Sequence, residues 1–314
     1  MTKVVSLDQI LKTLPDIDVI GEIERGFVAL SEGKVEVPPV GELLFPENNG
    51  EFHIKYGAVR GDDVFVVKLA TGFFNNAKLG LPPFSGCMLV LSAKTGEVLH
   101  VLLEEGELTN HRTAAAGAVV ARHMAPQRLE AIGICGSGVQ ARLQADYLRR
   151  VTPCRTLVLW ARDADRAAQA VRDIACMGYS ARLAASAEEV ASSAQLIVTT
   201  TPAHDPYMLA RYIKPGTHIT AMGSDTPEKN EIEPAILQRA ALVVADSIPQ
   251  CLLRGEIRAS IAAGALRRED VVELGNLIAG KVRPRAPDDI TVADLTGVAV
   301  QDIMIAKAVV ARTD

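Results

Sequence analysis

Apolar and polar positions repeat with a helical period in some stretches of this chain and with a strand period in others, and the order of the two divides it. Ser6 reads as an N-cap, and Leu7, Ile10, Leu11 and Leu14 then share one helical face. A second helix is expected from Ile17 to Leu30, ending near Gly33, and Pro38-Pro39 marks an extended stretch. Residues His53 to Val59 and Val64 to Thr71 read as strands. Cys87, Leu89 and Leu91 alternate, Lys94-Thr95-Gly96 turns, and Val98 to Leu103 returns, which is a hairpin pattern. Helices followed by antiparallel strands predict an α+β unit for the first hundred residues.

An Ala-rich helix from Leu108 to Ala125, closed by Pro126, acts as a connector. Beyond it the pattern alternates. Strands are expected at Leu129–Cys135, Thr156–Ala161, Ala181–Ala184, Leu196–Thr200, His218–Met222 and Leu242–Ala245, with helical segments between most of them. That is the layout of a parallel, doubly wound α/β sheet. Glu269 to Ala279 reads as a further helix, Thr291 to Leu295 as a short strand, and Val298 to Val310 as a last helix folding back on the first domain.

The first expected strand of that sheet runs into Gly136-Ser137-Gly138-Val139-Gln140-Ala141, and a helical pattern follows. Strand, two-glycine turn and helix start form the layout of a dinucleotide-binding βαβ unit. Gly136 permits the tight turn, Gly138 lets backbone approach a pyrophosphate, and Ala141 allows close helix–strand packing. The N–H groups at the helix start then face the phosphates. An ordinary glycine turn is the plain alternative.

Composition narrows the function classes. The chain has 314 residues, 48% hydrophobic and 23% charged, with a net charge of −5. It is long enough for two cores and carries no basic run that would grip nucleic acid. Met1 to Leu14 carries Lys3, Asp8 and Lys12 and lacks the apolar centre of a signal peptide, and no stretch is long enough for a membrane span. The five cysteines show no CxxC spacing and read as free thiols in a reducing cytoplasm; the six histidines form no metal-binding pattern, so no metal is expected.

Several side chains stand where a dinucleotide fold does chemistry. After Thr156–Trp160 come Ala161-Arg162-Asp163. A neutral residue followed by Arg162 favours the 2′-phosphate of NADP, whereas Asp163 would suit NAD if the strand ends later, and a solvated surface charge is the plain alternative for Arg162. Thr199-Thr200-Thr201-Pro202 ends the fourth strand of this unit and should border the cofactor; Gly223-Ser224-Asp225 ends the next strand. Asp225 is the first choice for a catalytic acid or base, with a cap or turn residue as the alternative, and Lys229, four residues on, either contacts cofactor or simply faces solvent. In the first domain Lys68 interrupts an apolar strand and needs a partner or ligand, unless it lies on the wet face. Arg112, among Thr109, His111 and Thr113, can grip a carboxylate with two hydrogen bonds.

These residues fall in motifs: Lys68-Leu69-Ala70-Thr71-Gly72-Phe73 with Asn76 and Gly80-Leu81-Pro82; Leu108-Thr109 with Arg112-Thr113-Ala114-Ala115; the glycine turn; Gly223-Ser224-Asp225 with Lys229 and Glu231; Asp246-Ser247 with Gly255-Glu256; and Thr296-Gly297-Val298-Ala299 with Gln301-Asp302. Through them the chain resembles the ornithine cyclodeaminase/mu-crystallin family. The resemblance implies a nicotinamide-binding Rossmann domain (113–295) and an α+β substrate and dimerisation domain built from both chain ends (1–112 with 296–314). It implies a homodimer, while the charge balance and the lack of a long apolar stretch point to no nucleic-acid or membrane partner. It implies that Lys68 and Arg112 hold an amino-acid carboxylate, that Asp225 handles the amine, and that Gly136, Ser137, Gly138, Val139, Gln140 and Gly297 line the cofactor, NADP or NAD. The activity it implies is ornithine cyclodeaminase-type chemistry, with a cyclic-imine reductase, an alanine dehydrogenase or a non-enzymatic cofactor-binding protein as alternatives. Val40 stands where family members often carry arginine. His53-Ile54-Lys55-Tyr56-Gly57 stands where ornithine enzymes carry an acidic residue. Lys55 would repel an ornithine ammonium, or bind a second carboxylate, if it faces the site, and a surface position is equally open.

Overall fold

The computed structural model describes residues 1–313, Ala77 by its backbone alone. Two compact units result: Met1–Arg112 joined by the segment from Val298 onward, and Thr113–Gly297.

In the first unit, β1 (Lys3–Val5) leads into α1 (Leu7–Thr13) and α2 (Val19–Ser31). The strands β2 (Val35–Glu36), β3 (Gly41–Phe45), β4 (Gly50–Val59), β5 (Val64–Phe73), β6 (Phe84–Ser92) and β7 (Val98–Leu102) follow. The sheet order is β1-β7-β6-β5-β4-β2, with β3 also paired to β4. Every pair is antiparallel except β1 with β7. The short strand β1 and the pair β2 and β3 are additions to the pattern read from the sequence. None is long enough to show a period, and long-range pairing alone creates them. Ser6 and Gln9 form the capping box of α1, and Asp18 caps α2 through the Gly21 N–H at 3.1 Å. Ile20, Ile23 and Phe27 form the buried face of α2. Gly26 lets α2 pack closely on the C-terminal helix: a Cβ there would stand 2.8 Å from Met304.

The helix α3 (Glu107–Met124) carries the chain into the second unit. There follow β8 (Ile132–Cys135), α4 (Val139–Leu148), β9 (Thr156–Trp160), α5 (Ala164–Cys176), β10 (Ser180–Leu183), α6 (Ala187–Ser193) and β11 (Leu196–Thr199). Then come β12 (His218–Ala221), α7 (Pro234–Arg239), β13 (Leu242–Ala245), α8 (Ile248–Cys251), α9 (Gly255–Ala262), β14 (Val271–Glu273), α10 (Leu274–Ile278) and β15 (Thr291–Asp294). Helix α11 (Ala299–Thr313) returns to the first unit. The eight strands of the second unit are all parallel, in the order β10-β9-β8-β11-β12-β15-β13-β14. Every residue of β8, β11, β12, β13 and β15 is buried. This is why they read as short continuous apolar runs. Chain order reverses between β8 and β11, the place where such sheets bind ligands beyond their carboxyl ends.

One expected element is corrected. Glu269 to Ala279 is not one helix: Val271–Glu273 pairs with β13 as an edge strand, and only Leu274–Ile278 is helical. Burying Val271 against the sheet is worth about 1.5–3 kcal/mol, which outweighs helix-propensity differences of about 0.7 kcal/mol or less per residue. Several inner strands also end a residue early, so Ala161, Thr200 and Met222 lie in the loops at the carboxyl edge. No described helix is long and apolar enough to cross a membrane.

Candidate functional site

The glycine turn sits at the reversal point of the parallel sheet. Gly136 follows β8 with φ of 132°, a conformation that L side chains rarely adopt. A Cβ there would lie 2.2 Å from Thr200 Oγ1 at the end of β11. Thr200 in turn donates to the Cys135 carbonyl at 3.1 Å, so the two strand ends are tied together over the turn. A Cβ on Gly138 would meet nothing within 4 Å. Gly138 also caps α4 with no side-chain hydrogen bond. The first N–H groups of a helix lack intrahelical partners. A helix start without a side-chain cap, beside open space and at the reversal point, fits a pyrophosphate. Ser137, Val139 and Gln140 belong to the same turn, and Val139 is exposed. Arg162 is exposed just past β9. Asp163 caps α5 by accepting from the Arg166 N–H at 3.0 Å.

Below the carboxyl edge lies a chain of buried carboxylates whose roles the sequence had not disclosed. Glu231 accepts from Thr199 Oγ1 at 2.7 Å, Thr201 N at 2.6 Å, Thr201 Oγ1 at 2.7 Å, Tyr207 Oη at 2.8 Å and Gly223 N at 2.8 Å. Glu256 accepts from Ser224 Oγ at 2.5 Å and from the Glu231 and Ile232 N–H groups at 2.8 and 3.3 Å. Asp294 accepts from the Ile257 N–H at 2.8 Å, and Asp246 holds the Gly297 N–H at 2.8 Å. Arg254 and Arg258 donate to the carbonyls of Asp225 at 3.1 Å and Pro227 at 3.0 Å. The segment 254–258 thus clamps the loop between Gly223 and Ile232 at several points. That loop presents Asp225, whose half-exposed carboxylate pairs with Lys229 Nζ at 2.5 Å. Asp225 caps no helix.

Burial and the neighbouring Glu231 push the Glu256 carboxyl up to about 7. A carboxyl raised on folding contributes stability that is complete below its unfolded value and lost as pH rises through the folded one. Between roughly pH 4.5 and 7 wild type should therefore lose about 3 kcal/mol that Glu256→Gln does not. Denaturant titrations of both proteins across that range check it; parallel pH profiles would refute the assignment.

In the first unit, β5, α3 and α11 bring three charges together. Lys68 Nζ donates to Asp302 Oδ1 at 3.0 Å, Arg112 Nε donates to the same oxygen at 3.0 Å, and Arg112 Nη1 reaches Gln301 Oε1 at 2.6 Å. Lys68, Arg112 and Asp302 are 2%, 5% and 1% exposed, so the wet-face alternative for Lys68 does not hold. Burial pushes the Lys68 ammonium below its ordinary value, with Asp302 opposing. Burial acts to raise Asp302, yet Lys68 and Arg112 hold its carboxyl below the usual range. Lys55 of β4 stands directly opposite Lys68, and its charge also acts on Asp302. Residues directly opposite on neighbouring strands share a face. Asp302 had a sequence signal: a lone acid amid the apolar residues of a helix. Glu104 had none, being hidden in the acidic run Glu104-Glu105-Gly106-Glu107. It is fully buried, and its Oε2 accepts from the Leu108 and Thr109 N–H groups at 2.9 and 3.3 Å. Among the described residues, no group of His, Cys, Asp or Glu is arranged to hold a metal ion, and the five cysteines are unbridged.

Comparison with known proteins gives concordant matches. The model of the ornithine cyclodeaminase/mu-crystallin family matches residues 2–314. An uncharacterized cyclodeaminase of Sinorhizobium fredii is 41% identical over 318 residues, 99% of this chain and 96% of its own. Among solved structures, an archaeal alanine dehydrogenase dimer with bound NAD superposes with a TM-score of 0.91 at 30% identity, covering 99% of this chain and 96% of that one. The iminosuccinate reductase of Paracoccus denitrificans in complex with NAD+ gives 0.90 at 28% identity, with coverage of 99% and 96%.

Proposed function

The chain belongs to the ornithine cyclodeaminase/mu-crystallin family, and we propose that it is an NAD(P)-dependent enzyme of amino-acid metabolism acting at a carbon that bears both a carboxylate and an amine or imine nitrogen. The observation that carries this reading is the pair of buried cations, Lys68 and Arg112, converging on one oxygen of Asp302. Lysine has three donors and arginine five. One from Lys68 and two from Arg112 go to Asp302 and Gln301, which leaves the others for a substrate carboxylate. Each charge-assisted bond there is worth about 1.5–3 kcal/mol and fixes the orientation of the α-carbon. Gly136 to Gln140, Thr200, Thr201, Gly223, Ser224 and Gly297 would hold the cofactor, with Lys229 as a further contact. The nicotinamide, when bound, supplies or accepts the hydride. Asp225 gives or takes the proton at the substrate nitrogen.

Within this class we favour net redox chemistry, imine reduction or amino-acid oxidation, over cyclisation of ornithine. Lys55 supports the choice, because a third cation on the Lys68 face opposes a distal ammonium and suits a small or diacidic substrate. The relatives named as an alanine dehydrogenase and an iminosuccinate reductase agree with it. The cyclodeaminase reading has the Sinorhizobium relative on its side. We read the protein as a cytoplasmic homodimer. The unbridged cysteines, the dimeric archaeal relative, and Leu43 and Leu44, exposed by 54% and 58% on β3, support that reading.

A panel of amino acids and cyclic imines, each offered with NAD(H) and NADP(H), tests the function if ammonia and nicotinamide oxidation state are followed separately. Stoichiometric cofactor turnover with an imine or a small amino acid is expected. Ammonia from ornithine without net cofactor change would establish the cyclodeaminase instead, and cofactor binding with no turnover of any compound would leave a binding protein. Arg162→Ala should weaken NADPH about 10- to 100-fold more than NADH, the worth of one charge-assisted phosphate contact. Equal losses in fluorescence titrations would reject Arg162 as the 2′-phosphate ligand.

A further inference from the structure

Glu104 has no part in the function proposed above, yet it is buried within the same charge cluster. Its Oε1 is buried without a hydrogen-bond partner, and so is Asp302 Oδ2. Gly86 of β6 lies beside Glu104: a Cβ there would stand 2.4 Å from the Leu69 carbonyl oxygen and 3.3 Å from Glu104 Oε1. Charged and titratable groups of several elements act on Glu104, directly or through Asp302. Lys68 comes from β5, Asp302 from α11, and the thiol of Cys87 from β6, which burial and then Glu104 push upward. Arg112 of α3 and Lys55 of β4 complete the set through Asp302.

With Glu104 ionised, the two fully buried cations, Lys68 and Arg112, are matched by two buried carboxylates; Lys55 is only partly buried, so water already screens its charge. A third carboxylate, brought by a ligand, leaves an uncompensated buried negative charge, which is costly in a medium of low polarity. One of the carboxylates must take a proton. Asp302 is a poor candidate, because Lys68 and Arg112 both stabilise its anion. Glu104 is a good one, because burial already raises its carboxyl against the opposing pull of Lys68. Protonation also turns its partnerless acceptor oxygen into a donor.

Resting on the proposed reading of Lys68 and Arg112 as the carboxylate grip, we infer that Glu104 couples substrate binding to proton uptake: the ligand carboxylate enters this cluster as Glu104 draws one proton from solvent. Glu104 is thereby a positioning residue that sets the charge of the grip. Affinity for carboxylate ligands then falls with rising pH, up to about tenfold per pH unit between the ionisation of Glu104 in the free and bound forms, and levels off on either side.

The test is calorimetric titration of the NADH-saturated protein with L-proline and with L-lactate, in buffers of different ionisation heat. The amine of proline, like that of lysine, stays protonated below about pH 9, and lactate has none. Uptake approaching one proton for both ligands, lost in Glu104→Gln while binding persists, is the expected result. Binding without uptake in wild type would overturn the coupling and leave the proposed function standing, and this measurement needs no variant to fold. Uptake with proline alone, or uptake unchanged in E104Q, would place the proton elsewhere and overturn it too. Failure of both ligands to bind at any pH would remove the carboxylate grip itself, and the inference with it.

Discussion

Replacing Asp302 with alanine is expected to cost about 3–5 kcal/mol of stability, the usual penalty for stranding a buried charge. Its Oδ1 accepts from both Lys68 and Arg112, and all three side chains are almost fully buried. Removing the carboxylate leaves two like charges out of water with only Gln301 to receive Arg112. Asp302→Asn should cost less, because an amide oxygen still accepts. The double substitution Lys68→Met with Asp302→Leu should recover part of the loss, since deleting both partners of a buried pair is far cheaper than deleting one. Denaturant unfolding of the three variants measures this. A loss below about 1 kcal/mol for D302A would mean that the cations find other partners. The pH dependence has a definite sign. Asp302 is held below its ordinary value on folding, so its stabilisation is present above the unfolded carboxylate range and disappears as pH falls through the folded value.

Asp225→Asn should lower turnover about 10²- to 10⁴-fold, the typical range for a general acid or base. Cofactor affinity should stay within about twofold, because the rest of the loop is held by other groups. Glu256 holds Ser224 and the Glu231 backbone, Arg254 holds the Asp225 carbonyl, and Arg258 holds the Pro227 carbonyl. None of these needs the Asp225 side chain. Steady-state rates on the best substrate of the panel, set beside NADH fluorescence titrations, separate the two quantities. Undiminished turnover would remove Asp225 from the chemistry. A collapse of cofactor binding would make it a structural residue of the loop, with Lys229 as its partner.

Much of the second unit was legible in one dimension. Parallel strands buried on both faces must be short and apolar, and Leu242–Ala245, for example, reads that way and folds that way. The glycine turn was legible because backbone geometry restricts residue type there, as the φ of Gly136 and its closeness to Thr200 show. Val271–Glu273 was misjudged because its fate depends on an exposed edge of β13 that no local period records.

The cluster around Asp302 was only half legible. Lys68 stood out as a charge in apolar company and Arg112 as a carboxylate grip among Thr109, His111 and Thr113, but their shared partner lies 234 and 190 positions away, so the pairing is invisible before the ends of the unit meet. Glu104 looks in sequence like any solvated acid, and Glu231 and Glu256, though members of the motifs, carry no local sign that they are buried. What the order of residues settled alone was the identity and direction of most elements and the dinucleotide turn, since these follow from local sterics and the spacing of apolar side chains. Which charges leave water, and which way burial and neighbours push each of them, was decided only by the fold, because the energy of an ion depends on everything packed around it and not on its neighbours along the chain.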